Sequence, residues 1–451
     1  MKTYKIGKAR SNLLTYISAS ALVLFLNLID SRQGLVSKFD SLHGEDGLFP
    51  ACYLYGSFID CVLQDYRGWL HTPYMLYAYV IYIFPVQYWA IVKGFLIIIN
   101  MILIVNTLLY LFIRLGFGQK ISLVFSVLPF LLPVSHVISF STLGHGGEYW
   151  ILIALLVAII GKNLPIESTN YRFWPAPLAL SILILGISLN RANGLFASVF
   201  ILLLYYAHTQ TDGRRKVKAV FINLFPFITF IFTTILLFSK INQNEARSRY
   251  PNLGLESGLN YINALIQIHP FIGITNQWPT YASTGQSSNF QIYSFILSVI
   301  LTLLFVFVDL VYFRRISNLN VRILLRSLVY LSIYLALTTV ALGEYAERNI
   351  AVIQIMMLYV IVILIHQFQK KFMMLFLSFY IISILPTLQT SDFSKDTFIW
   401  SVQMQETQAK CDEDELSRKN LYFGPRIGGG SNGEIIISCV DFKKLSKVKL
   451  H

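Results

Sequence analysis

An all-α polytopic membrane protein is the fold class this sequence predicts, on three grounds. Of its 451 residues, 55% are hydrophobic and 13% charged, whereas soluble domains carry about 25% charged residues. Apolar runs of roughly bilayer length recur along the chain. Aromatic residues, 15% of the total, collect at the ends of those runs, where amphipathic rings favour the headgroup zone. A net charge of +13 would point to nucleic acid in a soluble chain. Here most Lys and Arg fall in short loops, where positive charge sets orientation, so no nucleic-acid partner is expected.

The first run, 12–30, follows Lys2, Lys5, Lys8 and Arg10. It is longer than a signal-peptide core and no small-residue cleavage site follows it. It therefore reads as a signal anchor with the N-terminus inside. Further runs fall near 89–113, 120–140, 149–161, 175–190, 194–208, 218–239, 291–312, 327–343, 349–368 and 372–390, about eleven helices in all. Alternating from an inside N-terminus, the inside loops hold Arg114 and Lys120, Lys162 and Arg172, Arg214 to Lys218, Arg314 to Arg326, and Lys370 with Lys371. Each is basic, which supports the whole register and leaves the C-terminus outside.

All four cysteines then share the outside compartment, where disulfides persist: Cys52 and Cys61 in the first loop, Cys411 and Cys439 in the tail. Bridges Cys52–Cys61 and Cys411–Cys439 are expected, with small buried thiols as the alternative. Segment 71–88 carries Pro73, Pro85 and a series of polar aromatics, which fit a helix lying in the interface rather than a crossing. A crossing there would turn every basic loop outward. Residues 1–390 thus form the membrane domain, with outside loops over 31–88 and 240–290. The tail, 391–451, alternates apolar and polar residues around Thr397–Met404 and Glu434–Val440, which reads as two short strands. So small a unit needs staples or packing against the rest.

Chemistry is concentrated outside. In His43-Gly44-Glu45-Asp46-Gly47, two carboxylates stand side by side between glycines. Either can take a proton from an attacking hydroxyl, or the pair can hold a divalent cation that bridges a phosphate. The bland alternative is a solvated turn before a helix starting near Leu48, with acids offsetting the helix dipole. His71, in Gly68-Trp69-Leu70-His71-Thr72-Pro73, closes the same loop. Outside arginines run against the usual bias: Arg247 and Arg249 in the second loop, and Arg191 and Arg348 in hairpin turns. A guanidinium fork matches phosphate, and lipid headgroups are the alternative partner. His145 and Glu148 form one more outside turn, lining a site or sharing a metal. Gly424 to Gly430 is not a phosphate loop, because no Lys-Ser/Thr follows the glycines. The proposed spans carry almost no charge apart from Lys93 and Asp309, which argues against ion-coupled transport.

With the acidic pair in the first outside loop and the Gly-Trp-Leu-His-Thr-Pro stretch beyond it, the chain resembles the GT-C class of integral-membrane glycosyltransferases, which use polyprenyl-phosphate sugars. Tyr74 stands where one bacterial group of that type often has Arg. Thr142–Trp150, Asn190–Gly194 and a tail with Trp400 near its start also resemble such proteins. The resemblance implies an enzyme of a bacterial inner membrane with an extracytoplasmic site. Asp46 would be its base, Glu45 its helper, and a divalent metal on the pair stays open. Arg247, Arg249, Arg348 and His71 would hold the donor phosphate, while Arg191, His145 and Glu148 would line the side of a glycan or lipid acceptor. The competing class is a lipid-sugar flippase or small-solute transporter. A non-catalytic scaffold for envelope assembly is the third.

Overall fold

The computed structural model describes residues 2–29, 39–40, 42, 45–66, 69–131, 147–162, 175–190, 192–209, 217–240, 313–341, 347–368, 399–423 and 433–447. They are mostly helical. In chain order the helices are α1 (Lys2–Ile29), α2 (Glu45–Tyr55), α3 (Phe58–Val62), α4 (Thr72–Ile83), α5 (Trp89–Arg114), α6 (Gln119–Val127), α7 (Gly147–Lys162), α8 (Pro175–Ser188), α9 (Ala192–Thr209), α10 (Val217–Lys240), α11 (Leu319–Ala341), α12 (Glu347–Phe368), α13 (Trp400–Glu413) and α14 (Cys439–Leu445). Two small antiparallel hairpins complete the set. Asp65–Tyr66 (β1) pairs with Trp69–Leu70 (β2), and Arg418–Phe423 (β3) with Gly433–Ser438 (β4). Eight of the eleven expected apolar runs coincide with helices α1, α5 and α7 to α12, and the run at 120–140 begins with α6; residues 132–140 of that run and the runs at 291–312 and 372–390 lie outside the described residues.

The bundle is organised around α7, which packs against α5, α8, α9, α11 and α12. Its residues from Ile151 to Leu156, with Ala158 and Ile159, are buried, as expected of a helix that is apolar on every face. The outer helices are two-sided. Along α5, Ile97, Met101, Ile104 and Leu108 are buried while Ile91, Phe95, Ile99 and Leu103 are exposed. On α10, Phe225, Ile228, Phe232, Ile235 and Phe238 are exposed in the same way, and so are Leu13, Leu14, Ile17 and Phe25 on α1. Large apolar side chains therefore cover the outside of the bundle as well as its core. Among the described residues one helix, α5 with the short 3-10 turn before it (Val86–Arg114), is long and apolar enough by itself to cross a membrane. At about 1.5 Å per residue, α7 and α8 fall short of the roughly 30 Å hydrocarbon core.

Tight connections use special residues. Gly116, with φ +97°, turns the chain from α5 into α6, a conformation that costs a residue without Cβ little. Between α8 and α9 the helices nearly touch, and a Cβ on Gly194 would collide with the Ile187 carbonyl.

The tail differs from the sequence expectation. The described part of the strand expected around Thr397–Met404 is helical instead: Trp400–Glu413 is helix α13. Trp400, Val402 and Met404 imitate a two-residue period, but the buried positions are Trp400, Gln403, Met404, Thr407 and Cys411, a helical face. The second expected strand is present as β4. The side chain of Gln403 donates to the Tyr422 carbonyl and accepts from the Tyr422 N–H, tying α13 to β3. A Cys411–Cys439 disulfide joins α13 to α14, and Cys52–Cys61 joins α2 to α3. Both pairings match those expected from the sequence.

Candidate functional site

The acidic pair opens a helix. Glu45 and Asp46 are the first two residues of α2, not members of a turn that precedes a helix at Leu48. Carboxylates are favoured there by the unpaired N–H groups and the positive end of the helix dipole. Pro50, inside the helix, has no N–H to return to the Asp46 carbonyl. The first turn is thus the least tied part of α2, while its later turns are held firmly. Phe49 packs edge-on against Tyr74 of α4, with ring centroids 4.9 Å apart. The Tyr53 hydroxyl donates to the Met75 carbonyl at 2.8 Å. Burial, and next the neighbouring Tyr79, push the Tyr53 phenol up to about 12.

His71, the residue that precedes α4, meets the same Phe49 ring. Its ring lies 6.1 Å from that of Phe49, one turn beyond Asp46. Leu70, the last residue of β2, is fully buried and clusters with Leu189 at the end of α8 and Leu237 near the end of α10. The neighbouring residues Leu70 and His71 thus make two separate contacts, Leu70 with the α8–α9 turn and the C-terminal end of α10, and His71 with Phe49 of α2. Asn190, in that turn, is buried. Arg191 lies outside the described residues, as do Arg247 and Arg249, which follow α10 in sequence.

Two further helix starts face the same end of the bundle. At one end of α12, His366 packs against Phe117, and one helical stretch earlier Tyr359 packs against Phe112. Hence α12 runs parallel to α5, and Arg348 in its first turn lies toward the end where α5 begins. Glu148 is the second residue of α7, next to Tyr149, whose ring stacks on Phe130 at 5.1 Å. The side chains of Glu45, Asp46, Glu148 and Arg348 and the whole of His145 lie outside the described residues. Among the described residues no group of three or more His, Cys, Asp or Glu could hold a metal ion.

Two residues carry more weight in the structure than the sequence assigned them. Lys93 is completely buried in the second turn of α5. It shares a face with Asn100, whose Oδ1 accepts a bond from the Tyr77 hydroxyl at 3.4 Å. A lone cation in an apolar run was the available signal. Asp40 is the second. Its carbonyl accepts from the Trp400 N–H at 2.7 Å, and its carboxylate accepts from the Ser401 N–H at 2.7 Å and the Ser401 hydroxyl at 2.6 Å. No local pattern marks it, because its partners lie at the far end of the chain.

Comparison with known proteins finds no family model, no curated protein and no solved structure that matches the chain.

Proposed function

We propose that the chain is a polytopic enzyme of a bacterial inner membrane. It moves a sugar from a polyprenyl-phosphate donor to a glycan or lipid acceptor on the extracytoplasmic face. The observation that carries the proposal is the convergence at one end of the bundle. His71 lies against Phe49 of the carboxylate-bearing helix α2, and its neighbour Leu70 packs against the α8–α9 turn and the end of α10. In the proposed reaction Asp46 takes the proton of the acceptor hydroxyl as its oxygen attacks the anomeric carbon. The carbon–oxygen bond to the lipid phosphate breaks, and the phosphate leaves with the bonding pair, giving inversion. Glu45 beside it opposes a second negative charge and keeps a proton affinity available. His71 and the arginines of the same face receive the phosphate. A divalent cation on the pair would serve the same leaving group.

Membrane placement is supported by the exposed apolar stripes of α1, α5 and α10, since soluble proteins rarely leave large apolar patches in water. Sidedness is supported by contact between the tail and the first loop. Strands β3 and β4 pack on α2, and α13 packs on the turn before α5, so both regions occupy one side. An even number of crossings must then separate them, and the eleven expected runs less the first leave ten. A crossing by 71–88 would make the number odd. Helix α4, with 12 residues, spans only about 18 Å.

The test is transfer of a labelled hexose from a synthetic polyprenyl phosphate by protein in liposomes, with mass spectrometry of envelope glycans from cells with and without the chain. Appearance of a lipid-phosphate product and loss of one glycan are expected. Carriage of the intact lipid-linked sugar across the bilayer without bond cleavage favours the flippase class instead.

A further inference from the structure

The later turns of α2 are held by Phe49 and Tyr53, but the chain entering its first turn needs its own anchor. Asp40 lies five residues before Glu45 in the sequence and is bonded three times to the start of α13. Helix α13 begins after Ile399, which makes no side-chain cap bond. Its leading N–H groups would otherwise go unmet. Asp40 supplies the cap from the far end of the chain: its carbonyl takes the Trp400 N–H, and its two carboxylate oxygens take the Ser401 N–H and hydroxyl. The negative charge also suits the positive end of α13.

The capped helix is itself firmly placed. The Trp400 indole donates to the Val86 carbonyl at 2.9 Å and stacks on Trp89. The strands that follow α13 pack against α2. Leu42, between Asp40 and the acids, is almost completely buried.

We propose that Asp40 is a positioning residue for the carboxylate pair, and that the tail acts through it as part of the site. Capping α13 fixes the chain where it enters α2, so the tail sets where Glu45 and Asp46 stand. The inference rests on the function proposed above for what is positioned, but the clamp itself is independent of it.

Hydrogen exchange of the full-length protein in nanodiscs, read over residues 45–55, tests the clamp directly. Sugar transfer from a short-chain polyprenyl-phosphate hexose is measured on the same samples. Asp40→Ala should speed exchange across α2 by about tenfold, as loss of a helix cap loosens a local unit. In transfer it should lower kcat while leaving KM for the donor nearly unchanged. Asp40→Asn keeps an oxygen for the Ser401 N–H and should recover most of both. Ser401→Ala, which removes one bond and leaves the carboxylate in place, should give a smaller rise; it serves if Asp40→Ala does not fold. Unchanged exchange over 45–55 in a folded Asp40→Ala protein, or in Ser401→Ala where that variant alone folds, overturns the inference. Faster exchange with no sugar transfer by the wild-type protein supports the clamp and removes the enzymatic role instead.

Discussion

The indole rings of Trp89 and Trp400 stack with centroids 6.4 Å apart and planes 10° from parallel. One residue starts the long helix α5 and the other starts the tail helix α13. Both are buried. The pair therefore seals the junction between the first loop and a tail that is reached only after the whole bundle has been built.

Replacing Trp400 with Ala should loosen that junction. The variant gives up a large buried ring, its stacking partner and the bond to the Val86 carbonyl, for a cost of about 3 kcal/mol or more. Thermal unfolding in detergent should show a clear drop, while Trp400→Phe should recover part of it. An unchanged midpoint for Trp400→Ala is incompatible with the buried stack.

The two disulfides should differ in worth. Chain-entropy reasoning favours the longer closed loop, and the sequence separations are 9 for Cys52–Cys61 and 28 for Cys411–Cys439. Removing the tail bridge by paired Ser substitution should therefore cost about 1 kcal/mol more than removing the first-loop bridge. Denaturant midpoints of the two paired variants provide the check; equal or reversed losses contradict it.

Alkaline pH should open the first loop through Tyr53. The neutral phenol is the form the fold holds, and its folded value of about 12 exceeds the ordinary 10. Its contribution is then complete below about pH 10 and is lost as pH rises from 10 to 12. Tyr53→Phe should remove that step, and at neutral pH should lose about 1 kcal/mol with the bond to Met75. Identical alkaline unfolding curves for the two proteins would exclude Tyr53 as the titrating group.

Two glycines make opposite predictions. At Gly194 a methyl group meets the Ile187 carbonyl, and the Ser188 and Ser198 hydroxyls, 2.8 Å apart, hold the same crossing. Gly194→Ala should force α8 and α9 apart and cost about 2 kcal/mol or more. At Gly186 nothing lies within 4 Å, so Gly186→Ala inside α8 should be neutral or stabilising by up to about 1 kcal/mol. Side-by-side thermal shifts decide, and a tolerated Gly194→Ala overturns the close approach.

The helices were legible because apolar composition and length are local signals, and α5 and α7 to α12 begin within a few residues of the runs read from sequence, save α11, whose start lies earlier. The short helix over Trp400–Glu413 was not, because an eight-residue window around Trp400 fits a strand period as well as a helical one. Only the buried positions Thr407 and Cys411, farther along, separate the two. For the site, Glu45, Asp46 and His71 were visible as unusual polar residues in an apolar chain. That Phe49 brings His71 against the helix of the two acids is tertiary information. Asp40 gave no signal at all, since a carboxylate in a loop acquires meaning only when a helix start from the far end of the chain is brought against it.

The central claim is that Asp46 at the start of α2 does the chemistry, and Asp46→Asn in liposomes tests it most directly. With folding confirmed by thermal unfolding and donor KM nearly unchanged, sugar transfer should fall by roughly 100-fold or more, as expected for a missing general base. Transfer at close to the wild-type rate by the folded variant contradicts the account.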